Sequence, residues 1–237
     1  MPLARSTVRS LALVGFLSLP CMVMAGTPAN SPLLHLAWSG CTPSASSNRD
    51  FSCDNNAGVD ALVASYTGEE LASEPPTAFT FRIVLLGGTG VAPSWWQTYT
   101  GGCRQGGLTV DDVAPNSGPC LHLTSSSFLA TQQGRIGGLQ VNGWIFVSQQ
   151  PAQGALVPGE TYFLANLNLA HTKSVGADSC AGCSEPMVAY FDELVIETAT
   201  PGLRYTYSAT SQSLATWQGS LVPTRNTTWG RIKSQYR

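Results

Sequence analysis

From Phe79 to Leu86 the apolar residues Phe79, Phe81, Ile83 and Leu85 occupy every second position and so share one face, while Thr80 and Arg82 open the other. Successive side chains of an extended chain point to opposite sides, so this pattern makes a strand with one buried face. Strand-forming runs recur along the chain at Leu33 to Trp38, Ala61 to Tyr66, Leu121 to Thr124, Trp144 to Gln149, Thr161 to Leu169, Met187 to Glu197, Leu203 to Ser208 and Leu214 to Trp217. Between them stand turn formers such as Gly87-Gly88-Thr89-Gly90, Asn116-Ser117-Gly118-Pro119, Gly137-Gly138 and Pro158-Gly159. Many short strands separated by such turns predict an all-β fold, a single β-sandwich or jelly roll. Helical spacing occurs near the C-terminus, where Asn226, Thr227 or Thr228 can cap a short helix over Trp229 to Tyr236. Trp229, Ile232 and Tyr236 share one face of that helix, which is expected to lie on the sandwich as a lid.

Residues Met1 to Ala25 read as a secretion signal. Arg5 and Arg9 precede an apolar run from Leu11 to Met24, and Val23-Met24-Ala25 supplies the small-residue cleavage pattern. Cys21 would be the acylated residue of a lipoprotein, but Pro20 before it is a poor residue for that cleavage. No second apolar stretch approaches the roughly 20 residues needed to cross a bilayer, so no membrane span is expected. Residues 26–237 show no internal repeat, low-complexity linker or charge run and are expected to form one domain, long enough to bury its own core. The compartment is expected to be periplasmic, cell-surface or extracellular.

Charged residues are only 11% of the chain, against about 25% in ordinary soluble domains. With Arg5 and Arg9 removed, 10 of the 12 basic residues face 14 acidic ones, a net charge of −4. No basic stripe exists for a nucleic acid to use.

Six of the seven cysteines lie beyond the signal, and in an oxidising compartment they are expected to form disulfides. They fall into three sequence-local pairs around turn residues, which suggests Cys41–Cys53, Cys103–Cys120 and Cys180–Cys183 out of 15 arrangements. The last pair is a C-x-x-C, but Ser184-Glu185-Pro186 and a strand follow it, where a redox motif needs a helix and a haem motif needs His. A loop-tightening disulfide is the expectation there. His35, His122 and His171 lie in or beside strands without any short-spaced histidine pair, so neither a metal nor another cofactor is expected.

No G-x-S-x-G elbow announces a hydrolytic nucleophile. Glycoside hydrolysis needs two carboxylates facing one another across a groove. Asp111-Asp112 and Asp192-Glu193 are adjacent in sequence, and adjacent residues of a regular strand point to opposite faces, so neither pair can act together if its segment is extended. Gly87-Gly88-Thr89-Gly90 lacks the full glycine fingerprint and the following helix of a phosphate loop, and reads as tight turns. Trp95 and Trp96 lie between this turn and Gly101-Gly102-Cys103-Arg104; if extended, one indole faces the core and the other offers solvent a flat stacking surface for a sugar. Trp95, Trp96, Gln97 and Arg104 are therefore the candidate ligand-binding residues.

Two segments resemble carbohydrate-binding jelly rolls: Val157-Pro158-Gly159-Glu160-Thr161-Tyr162 leading into a strand, and Tyr190-Phe191-Asp192-Glu193-Leu194-Val195-Ile196. A broader set resembles a family of uncharacterised secreted bacterial β-rich proteins. It comprises Leu36-Ala37-Trp38 with Cys41, Phe51-Ser52-Cys53-Asp54-Asn55-Asn56-Ala57-Gly58, Pro93-Ser94-Trp95-Trp96, Gly102-Cys103-Arg104, His171-Thr172-Lys173 with the C-x-x-C, Thr216-Trp217-Gln218-Gly219, and Pro223 to Ser234. That resemblance implies export and a β architecture, and assigns no activity and no site residue. Together these readings point to a secreted, non-enzymatic binding or structural module that meets a glycan or another envelope protein. A self-assembling surface or appendage component is the first alternative, and a secreted glycoside-active enzyme the second.

Overall fold

The computed structural model describes residues 33–41, 45–68, 75–87, 92–113, 120–122, 129–134, 143–149, 156–208 and 213–219. The expected signal over 1–25 and the expected helix over Trp229 to Tyr236 lie outside the described residues. Within them the chain is all-β, in two sheets.

The five-stranded sheet runs in the order β1 (Leu33–Trp38), β3 (Val59–Thr67), β9 (Thr161–Ala170) and β5 (Leu108–Asp111), with β6 (Leu121–His122) parallel to one end of β9. The seven-stranded sheet runs β2 (Asn48–Arg49), β12 (Leu214–Trp217), β10 (Met187–Thr198), β4 (Pro76–Gly87), β8 (Gly143–Gln149) and β7 (Leu129–Gly134). A further strand, β11 (Arg204–Ser208), pairs with the far half of β10. All ladders are antiparallel except β6 on β9 and β2 on β12.

Period-two patterning decides what lies between the sheets. Leu34, Leu36, Leu62, Tyr66, Leu164, Leu167 and Leu169 from one sheet meet Phe79, Phe81, Ile83, Leu85, Phe191, Leu194 and Ile196 from the other in one continuous buried cluster. Each such side chain removed from water contributes about 1.5–3 kcal/mol. The alternation read in Phe79 to Leu86 thus places four apolar residues inward, while Thr80 and Arg82 remain partly exposed on the outer face.

Three strands carry no such signature. β2 is two residues long, β5 is the four-residue Leu-Thr-Val-Asp, and β7 is the largely polar Leu-Ala-Thr-Gln-Gln-Gly. Among the described residues each is paired on one side only, where ladder hydrogen bonds to an already formed strand decide the conformation more than side-chain pattern does.

The disulfides require a correction. All six cysteines are bridged, but as Cys41–Cys120, Cys53–Cys183 and Cys103–Cys180, with sequence separations of 79, 130 and 77 residues. The local pairs Cys41–Cys53, Cys103–Cys120 and Cys180–Cys183 do not form. Folding brings distant parts of the chain together: Cys53–Cys183 and Cys103–Cys180 pack against the main core, Cys41–Cys120 packs in a separate cluster with Val63 and Phe163, and the Cα atoms of each pair stand about 6 Å apart, within bridging reach. The C-x-x-C sends its two sulfurs to different partners and so clamps the 45–58 strap and the 97–107 loop onto one turn.

Candidate functional site

The four residues singled out for ligand binding do come together, as an interior stack. Ser94–Trp96 form a single 3₁₀ turn, and the Trp95 N–H donates to the Ala181 carbonyl at 2.9 Å. Both indoles are buried, Trp95 0% and Trp96 5% exposed, so the expected solvent-facing platform is absent from this pair. Trp95 stacks on Trp217 with centroids 5.2 Å apart, and Trp96 meets both edge-on. Gln97 spends its amide on the Ala92 carbonyl. The reason is the C-x-x-C turn, which folds over the tryptophans: Gly182 has φ +93°, and a Cβ there would lie 2.2 Å from Pro93 Cβ, so only glycine lets the turn approach.

Arg104 completes the stack, 1% exposed, with its guanidinium carbon 3.3 Å from the Trp95 ring centre. Burial pushes this guanidinium down to about 9, which still leaves it charged at neutral pH. Its Nε and Nη1 are buried without hydrogen-bond partners among the described residues, and Nη2 reaches the Gly107 carbonyl only at 3.5 Å. The aromatic face is the principal compensation for this charge.

A second polar group lies beside the strap. Asp60 on β3 accepts from Arg49 at 2.7 Å through one oxygen, and its other oxygen lies 2.9 Å from His171 Nε2. His171 Nδ1 lies 2.7 Å from the Ala57 carbonyl oxygen, so each ring nitrogen has an oxygen partner. Phe51 stacks on the imidazole at 3.8 Å. Every polar atom of the imidazole is occupied within the fold, and the group holds the strap in place.

The outer face of the seven-stranded sheet is different. A depression of about 370 Å³ is lined there by Thr80, Phe81, Arg82, Glu193, Val195, Glu197 and Arg204. A β-bulge interrupts the pairing of β10 with β4 between Phe191 and Glu193. Asp192 is the extra residue, so it does not take the inward position that strict alternation would give either it or Glu193. Phe191 and Leu194 both point into the core, and the two acids between them both point out. The expectation that this pair cannot share a face is thereby corrected.

Arg82 sits between them. Its Nε donates to Asp192 Oδ2 at 2.6 Å, its Nη2 contacts the same oxygen, and Nη2 is 3.6 Å from Glu193 Oε2. Further along, Glu197 and Arg204 are register partners across β10 and β11. Glu193 and Glu197 are four strand residues apart, about 13 Å, so the depression carries two charged clusters separated by Val195 and Thr80. The side chains of Arg82, Asp192 and Glu193 are 43%, 24% and 33% exposed and reachable from solvent. The individual residues were legible in sequence; the bulge that groups them was not.

No protein-family model matches the chain, and no curated protein matches it in sequence. Among the described residues, no helix is long and apolar enough to cross a membrane, and no group of three or more histidine, cysteine, aspartate or glutamate side chains is placed to hold a metal ion.

Proposed function

We propose that this protein is a secreted, non-enzymatic binding module that takes an uncharged glycan on the outer face of its seven-stranded sheet. The observation that carries this reading is Arg82 held between Asp192 and Glu193 in an open depression. Carboxylate oxygens accept and guanidinium N–H groups donate, and a sugar hydroxyl does both, so a fixed donor set flanked by fixed acceptors suits a polyol. Three acids against two arginines leave the patch with a surplus of acceptors, which disfavours anionic ligands. Hydrolysis is disfavoured by the same geometry: glycosidases keep the space between their two carboxyl groups open for the sugar and water, and here Arg82 fills it. Three disulfides fit an oxidising compartment, in agreement with the leader and with the likeness to secreted bacterial β-rich proteins.

The test is a glycan array probed with the mature protein and with Arg82→Met, the array carrying neutral and sulfated or uronic-acid glycans. Binding of neutral glycans by the wild type, lost at least tenfold in Arg82→Met, is the expected result. Because the ion pair is partly exposed, the substitution is expected to change stability by no more than about 1 kcal/mol, so lost binding would not reflect lost folding. Silence across the array, binding confined to anionic glycans, or equal binding by the variant would each defeat the proposal.

A further inference from the structure

The depression on the seven-stranded sheet has a direction. On β10, Leu194 and Ile196 point into the core, so Glu193, Val195 and Glu197 point outward, one behind the other. Strand register sets a neighbour on each side of them. Glu193 lies between Arg82 of β4 and Ser208 of β11, Val195 between Thr80 and Thr206, and Glu197 between Ala78 and Arg204. Three cross-strand rows result, charged at both ends and uncharged in the middle. Glu193 and Glu197 stand four strand residues apart, about 13 Å, whereas the three strands together span about 10 Å. The long axis of the depression therefore runs along β10.

The middle row differs from the ends in chemistry and in depth. Val195 is 8% exposed, recessed between a half-buried Thr80 and an exposed Thr206. It offers methyl groups, and the threonines beside it offer hydroxyls. A pyranose whose hydroxyls are all equatorial has the same plan, with flat C–H faces and a hydroxyl rim. Laid on Val195, such a ring turns its rim toward Thr80 and Thr206. An axial hydroxyl would instead be pressed against the valine and lose its water without gaining a partner. At the far end, Glu197 and Arg204 are both exposed and, among the described residues, no ion pair joins them. Their acceptors and donors face solvent as a second polar contact point.

We propose, resting on the glycan reading above, that the ligand is a linear oligosaccharide of equatorially hydroxylated, equatorially linked pyranoses, at least three rings long and lying along β10. Its middle ring covers Val195, one outer ring meets Arg82 and Glu193, and the other meets Glu197 and Arg204. A single ring is far shorter than the distance between the charged rows, so it engages one of them and leaves the other in water. Equatorial linkages hold successive rings in one flat ribbon that follows a straight trough, whereas axial linkages bend the chain away from it. Each ring seated on a fixed donor and acceptor adds its own contacts without a new loss of translational freedom, so affinity rises with length until the trough is filled.

Isothermal titration of the mature, disulfide-intact protein with cellobiose, cellotriose and cellotetraose, and with the axially linked maltotriose, tests the proposal. Affinity is expected to rise at least tenfold from cellobiose to cellotriose, to change by less than about threefold on to cellotetraose, and to be at least tenfold weaker for maltotriose than for cellotriose. Glu197→Ala, at an exposed position, should erase the gain from the third ring, so that cellobiose and cellotriose bind it alike. Affinity independent of chain length, equal binding of cellotriose and maltotriose, an undiminished gain in Glu197→Ala, or neutral glycans bound on the array without any binding of these glucose oligomers would each overturn the trough while leaving Arg82 as a glycan contact. Absence of binding to every neutral glycan would overturn both readings.

Discussion

The guanidinium carbon of Arg104 lies 3.3 Å from the centre of the Trp95 ring, and Trp95 in turn stacks on Trp217 with centroids 5.2 Å apart. A charge thus sits at the end of an aromatic pile that joins the 3₁₀ turn to the edge of the seven-stranded sheet. Its immediate surroundings among the described residues hold no ion-pair partner for it.

Replacing a buried charge by an apolar side chain of similar length is often neutral or stabilising, because the desolvation cost disappears with the charge. Arg104→Met is therefore expected to unfold in urea within about 1 kcal/mol of the wild type, or above it. Trp95→Ala, which empties the centre of the pile, is expected to lose about 3–5 kcal/mol. A loss beyond 3 kcal/mol in Arg104→Met would mean that the cation contributes far more than a cation–π contact allows.

His35 gives the fold an acid sensitivity. Its ring is buried, its Nε2 lies 3.1 Å from Thr67 Oγ1, and that hydroxyl in turn meets Thr161 Oγ1 at 3.0 Å. Desolvation holds its imidazole below the ordinary value of 6.5, so the folded chain resists the proton that the unfolded chain accepts. Stability from this group is complete above pH 6.5 and is lost as the pH falls through its folded value. His35→Gln, which keeps a polar group toward Thr67, should flatten the fall in melting temperature measured below pH 6.5. An unchanged pH profile in that variant would assign the acid sensitivity to other groups.

The long-range disulfides are open to direct chemical proof. Proteolysis without reduction, followed by mass spectrometry, should yield peptides linked Cys53 to Cys183 and Cys103 to Cys180. Each bridge closes a long stretch of chain, and removing the Cys53 and Cys183 pair together is expected to cost about 2–5 kcal/mol. A dominant peptide closed between Cys180 and Cys183 would restore the local pairing and contradict the fold.

The contrast between neighbouring motifs shows where sequence reading works. Phe79 to Leu86 and Met187 to Glu197 declared themselves as strands, since burial on one face of a pleat prints a period of two into the chain. β7, a largely polar stretch that pairs with β8, left no such print. Trp95 and Trp96 were visible as an aromatic pair, but whether an indole meets solvent or Trp217 depends on a residue more than 100 positions away.

The order of residues alone determined the β architecture and the oxidising chemistry of the cysteines, because alternation, turn propensity and cysteine number are properties of short stretches or of composition. Tertiary structure decided which cysteines met, that a bulge set Asp192 beside Glu193 around Arg82, and that Asn166 came to face Asp111. These are proximities between strands far apart in sequence. They arise only when two sheets fix their register and stack, which no local pattern encodes.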